Sequence, residues 1–161
     1  MQKCELTGLQ LFEIVSLNHS VKTIIKKKDL NKCDLSNEVI KADFEIQNKD
    51  DEINVFRVRF IINIGPKRDC SGYKIFSEVE AYFSVPLSED EEEVNQEKIK
   101  FSRSAVAMVI SYLRSYIKTL TYNCPFGKYT LPAIDLPKLF DDVMITKQVS
   151  NSNNDDEGLN T

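Results

Sequence analysis

Apolar and polar side chains alternate with period two through the first half of this chain, and that alternation predicts β-strands. From Glu38 to Gln47, the residues Ile40, Ala42, Phe44 and Ile46 share one face, with Val39, Lys41, Asp43, Glu45 and Gln47 on the other. This is a half-buried strand with a wet side. From Ile53 onward, Phe56, Val58, Phe60, Ile62 and Ile64 form a wholly apolar face opposite Val55, Arg57, Arg59, Ile61 and Asn63. The segment NKDDEIN between them is a polar turn, so the two strands are expected to pair as a long antiparallel hairpin. After the Gly-Pro and Ser-Gly punctuation of Gly65 to Gly72, a third strand places Tyr73, Ile75, Val79, Ala81, Phe83 and Val85 on one face. Its other face carries Lys74, Phe76, Glu78, Glu80, Tyr82 and Ser84. Near the N-terminus, Leu9, Leu11, Val15 and Leu17 alternate with Gln10, Phe12, Ile14 and Ser16. A strand apolar on both sides is either central in its sheet or sits at a subunit contact.

The period then changes. Val106, Val109, Ile110, Leu113, Ile117 and Leu120 recur at helical spacing and predict a long amphipathic helix from about Ser102 to Tyr122. Ala105, Met108, Tyr112 and Tyr116 widen its apolar stripe. A loop rich in Pro and Gly follows. A short helix is then signalled by Asp135 as N-cap, Pro137 in the first turn, and Leu136, Leu139, Phe140 and Val143 at helical spacing. The acidic run SEDEEE begins like a capping box, Ser88 with Glu91, and predicts a short exposed helix leading into the long one. Strands first and helices after predict an α+β domain: a four-stranded antiparallel sheet with a long and a short C-terminal helix packed on one face. The domain is expected over 1–147. The polar stretch 148–161 is expected to be a disordered tail.

Composition narrows the functional classes. A hydrophobic content of 42 % is enough for a core in 161 residues, and no apolar run approaches the roughly 18 residues of a membrane span. The start, MQKCELTGLQLFEIV, lacks the continuous apolar region of a signal peptide, so a cytoplasmic location is expected. Net charge is −4, which argues against a nucleic-acid binder. The one basic cluster, Lys22, Lys26, Lys27 and Lys28, has no interleaved aromatic residues and reads as a solvated turn. Cys4, Cys33, Cys70 and Cys124 are far apart and form no metal-binding pair; in a cytosolic chain they read as reduced thiols. SEDEEE lacks the glycine and ligand spacing of a calcium loop. His19 with Cys124 is the one base and thiol combination, and no motif surrounds it. There is no glycine-rich phosphate loop. The chain therefore reads as no enzyme, with no catalytic residue, no metal and no cofactor.

Several strings resemble the SecB family of protein-export chaperones. ISYLRSYIKTLT (Ile110 to Thr121) is similar to the family's long-helix stretch, with Tyr112 and Arg114 on its Tyr and Arg and Ser111 in place of its Pro. LPAIDLPKLF (Leu131 to Phe140) is similar to the segment that opens the second helix, although Pro132 comes one place early, Asp135 stands for Asn, and Leu136 for Phe. IFSEV (Ile75 to Val79) resembles the fourth-strand string, while FGK at Phe126 to Lys128 lacks the family's Pro pair. The resemblance implies an ATP-independent holding chaperone that binds unfolded or non-native polypeptides in hydrophobic grooves, for export or for control of a client such as an antitoxin. It also implies a homotetramer, a dimer of dimers. Groove candidates are Phe76, Tyr82, Tyr112, Phe126, Tyr129, Leu131 and Ile134, because a holding surface needs exposed apolar and aromatic area. Glu13 and Glu78 fall at or near positions where the family contacts the SecA motor. The rival reading is an interaction module dedicated to one folded partner.

Overall fold

The computed structural model describes residues 8–26, 38–49, 52–67 and 70–142. The chain divides into two compact units, 1–131 and 132–161. The first holds four strands, β1 (Gln10–Ile24), β2 (Glu38–Lys49), β3 (Glu52–Pro66) and β4 (Gly72–Ser84), followed by helix α1 (Glu91–Leu120). The second holds a short helix, α2, over 136–142.

All neighbouring strands are antiparallel, in the order β1-β4-β3-β2. The predicted hairpin forms, with β2 paired to β3 and closing at Lys49 opposite Glu52, and β3 also pairs with β4. β1 returns to the far side of β4 and is an edge strand, so its two apolar faces do not reflect a central position.

Period two places the core. Phe56, Val58, Phe60, Ile62 and Ile64 of β3 and Ile75, Val79, Ala81 and Phe83 of β4 are buried on one face, and Phe56 stacks on Phe83 with ring centroids 5.5 Å apart. Helix α1 covers this face, lying principally over β3 with Val106, Val109, Leu113 and Ile117 buried. Each such side chain stabilises the fold by about 1.5–3 kcal/mol on burial.

Two expectations change. The acidic run is not a separate helix: α1 is continuous from Glu91, eleven residues before the apolar stripe suggests. Its N-cap is Asp90, whose carboxylate accepts the Glu92 amide at 2.9 Å, while Ser88 bonds Glu93 at 2.6 Å. Glu91, Glu92 and Glu93 then sit where the helix dipole favours negative charge. The alternation in β1 is also interrupted by register shifts at Phe12 and Leu17, each an extra residue relative to β4. In the second unit, the backbone N–H of Lys138 donates to the Asp135 carboxylate at 3.2 Å, so Asp135 caps α2 as expected. Val143, the tail 148–161, Lys27, Lys28, Cys4 and Cys33 lie outside the described residues.

Candidate functional site

The loop after α1 is built by local rules and then tied to the sheet. Thr121 ends the helix, its hydroxyl donating back to the Ile117 carbonyl at 2.8 Å and accepting the Tyr129 amide at 2.8 Å. Gly127 has φ of +75°, a conformation that favours glycine, and its amide donates to the Cys124 carbonyl at 2.8 Å. Tyr73 of β4 completes the latch. Its buried hydroxyl donates to the Gly127 carbonyl at 2.8 Å and accepts the Phe126 amide at 3.0 Å, and the two rings lie 5.6 Å apart. Arg114 Nε donates to the Leu131 carbonyl at 3.1 Å and fixes the far end.

This latch decides the fate of the loop candidates. Phe126 is half-buried against Tyr73, but Tyr129 and Leu131 are only 3 % and 1 % exposed and belong to the core. The expectation that both line an open groove is corrected, because the polar loop folds back and buries its apolar members. The Tyr129 phenol faces Glu38 of β2. Burial pushes the Glu38 carboxyl above its ordinary pKa of 4.5, and Tyr129 and the Tyr73 amide oppose that shift. Glu38 Oε1 accepts the Tyr73 amide at 3.4 Å, while Glu38 Oε2 is buried with no hydrogen-bond partner among the described residues. Burial and the adjoining carboxylate together push the Tyr129 phenol strongly upward. On α1, Tyr112 is half-buried and stacks on Tyr116, whose hydroxyl lies 3.1 Å from His19 Nδ1 on β1.

The opposite face of the sheet carries the other candidates. Tyr82 and Phe76 of β4 are half-buried there, with Glu13 of β1 exposed in register with Tyr82. The Tyr82 hydroxyl donates to Glu80 at 3.1 Å. Arg57 pairs with Glu80 at 2.9 Å and also bonds Gln47, and Arg59 pairs with Glu78 through Nε at 2.7 Å. Glu78 is thus neutralised within the sheet, whereas Glu13 stands free of any ion pair among the described residues. Phe76 and Tyr82 therefore share one surface, while Phe126, Tyr129 and Leu131 lie on the helix side. Ile134 is half-buried in the second unit.

The most exposed apolar positions of the sheet lie on its two edge strands, with Val39 of β2 46 % exposed. In β1, Leu11, Phe12 and Leu17 are 42 %, 61 % and 46 % exposed. Phe12 also lines an open cavity of about 520 Å³ with Gly8, Gln10, Asn54, Ser84, Val85 and Pro86.

No family model matches the chain, and no curated protein matches it in sequence. Among solved structures it is similar to the Mycobacterium tuberculosis SecB-like chaperone Rv1957, solved in complex with a ChAD peptide from the antitoxin HigA1. The TM-score is 0.56 at 16 % identity, covering 80 % of this chain and 91 % of that one. The fold is SecB-like. A second match is a protein of unknown function from Streptococcus agalactiae, with a TM-score of 0.45 and 10 % identity, covering 80 % of this chain and 100 % of that one.

Within this SecB-like fold, sequence reasoning missed Tyr73, which reads as an ordinary inward strand residue until the loop is seen on its hydroxyl. It missed Phe12 and Leu17 as exposed edge positions, because a bulge has no signature in a strand that is apolar on both sides. Arg57 and Arg59 are visible in the alternation, but their acid partners are set by register. Among the described residues no cluster of His, Cys, Asp or Glu fits a metal ion, and no helix is long and apolar enough to cross a membrane. Cys70 and Cys124 are free thiols.

Proposed function

We propose that this protein is a SecB-family holding chaperone that binds non-native polypeptides without ATP and performs no chemistry on them. The observation that carries the reading is the exposed apolar run of Leu11, Phe12 and Leu17 on an edge strand. Such a strand offers apolar side chains together with unpaired backbone groups, the two things an extended polypeptide can engage. The SecB-like fold supports it, since a chaperone of that fold was solved with an antitoxin peptide. Phe76, Tyr82, Tyr112, Phe126 and Ile134 are the further client positions, and the buried Tyr129 and Leu131 are not among them. The protein acts in the cytoplasm as a homotetramer, with SecA or an antitoxin as the partner beyond its clients. Glu13 is the better candidate for a motor contact, because Glu78 is already paired with Arg59.

The test is the aggregation of a chemically unfolded protein, followed by light scattering, with a stoichiometric amount of this chain and no nucleotide. Suppressed scattering is the expected result. Unchanged scattering from a well-folded oligomer would sink general holding activity. That outcome would favour the second reading, an interaction module for one folded partner, whose supporting observation is the pair of adjacent exposed apolar side chains, Leu11 and Phe12, on edge strand β1.

A further inference from the structure

The sheet face opposite α1 ends, beside Gly65 and Gly72, in a strip whose composition differs from the charge ladder around Arg57 and Arg59. Lys22 of β1 stands directly opposite Lys74 of β4, and both are exposed. In the next row Ser20, Phe76 and Asn63 lie side by side, with Lys41 of β2 opposite Asn63. Val39 of β2, 46 % exposed, faces Gly65 of β3. A Cβ added at Gly65 would meet nothing within 4 Å. The strip is therefore an exposed patch of Phe76, Val39 and bare backbone, with lysines on both sides. None of the three lysines makes an ion pair among the described residues.

Two features of this strip run against what the isolated sheet would favour. Cβ atoms directly opposite in an antiparallel pair lie about 4.5–5.5 Å apart, and like charges so placed are destabilising. A glycine in a strand forfeits packing and leaves room for another backbone to approach closely. We infer that this strip docks a polypeptide segment in which acidic residues flank an apolar one. The carboxylates meet Lys22, Lys74 and Lys41, the apolar side chain rests on Phe76 and Val39, and the backbone passes over Gly65. A nucleic acid fits poorly. The strip crosses only four strands, roughly 15 Å; it offers one aromatic ring, and it is bounded at once by Asp43 and the Arg59-paired Glu78. This inference names a client class for the surface that holds Phe76 and rests on the polypeptide-binding reading above.

The experiment is an array of immobilised peptides sharing one Leu-Phe core, flanked by Asp and Glu, by Asn and Gln, or by Lys and Arg, with a single-stranded oligonucleotide in the same format. The expected result is preferential capture of the acid-flanked peptides, weakened about tenfold by moderate salt. Lys22→Glu is the decisive variant. It replaces a like-charge pair with an opposite-charge one, so the thermal midpoint holds or rises while acid-flanked capture falls about tenfold. Gly65→Leu, whose Cβ meets nothing within 4 Å, should cover the bare backbone without changing any charge. Capture independent of flanking charge, wild-type binding by both variants, or preference for the oligonucleotide would overturn the strip and leave polypeptide binding standing. Capture of no peptide at all would overturn both.

Discussion

Tyr73, Glu38 and Tyr129 show how much of the loop rests on a few polar atoms beneath it. The Tyr73 hydroxyl serves one donor and one acceptor of the loop backbone in a site closed to water. Tyr73→Phe keeps the ring and strands both groups, so a loss of about 2 kcal/mol is expected in chemical denaturation, the low end for two groups at about 1–3 kcal/mol each because Phe126 and Gly127 are half-buried. If Phe126 and the loop also contribute to client binding, the same variant should change holding activity at temperatures where it remains folded. Glu38 adds a pH dependence of definite sign. Its folded pKa is raised from 4.5, so the folded state holds the proton more firmly than the unfolded chain. That contribution is full below the unfolded pKa and is lost as pH rises through the folded one. Glu38→Gln, which cannot ionise, should therefore be more stable than the native protein at pH 7, and the difference should close below about pH 4. Equal stabilities across that range would show that the carboxylate escapes its desolvation. Glu38 itself reads in the sequence as the polar first residue of a strand. Its burial follows from the loop arriving later in the chain, which no local pattern encodes.

At the level of elements, the clearest strands and both helices were legible because each has one face that must be buried, and burial imposes a period. The α1 start was not, because the turns before Ser102 carry only sparse buried contacts, Val94 and Lys98 among them. Lys98 is buried yet polar, bonding Asn48 at 3.1 Å, and desolvation lowers its pKa. Such a residue reads as surface in a sequence. Capping decides the boundary instead. Asp90→Ala should cost about 1 kcal/mol, whereas Ser88→Ala, which removes an exposed side-chain bond to Glu93 and a long 3.3 Å bond from the Asp90 amide, should cost about half of that. Equal losses in urea titrations of the two variants would return the cap to Ser88. The β1 alternation failed for a different reason. Its two extra residues shift which side chains face the core, and register is settled by β4 across the ladder.

For the whole molecule, the exposed apolar edge bears on assembly. Long apolar edge strands are aggregation liabilities unless covered, twisted or charged, and β1 meets that hazard with two bulges. If β1 is a contact between copies in the proposed tetramer, Phe12→Ser combined with Leu17→Ser should lower the mass seen in sedimentation while the circular dichroism of the sheet persists. An unchanged mass would place the contact elsewhere. Period-two and period-3.6 burial determined β2, β3, β4 and the apolar stripe of α1 from sequence alone, since those depend only on which side chains water rejects. The resemblance of short strings added a SecB-like expectation, and the fold agrees with it. Tertiary structure alone decided the rest. It placed β1 at the edge, neutralised Glu78 with Arg59, set Lys22 against Lys74, and drew Tyr129 and Leu131 under a loop held by Tyr73. Each is a meeting of residues far apart in the chain, governed by register and loop path, and a local pattern of polarity carries no information about either.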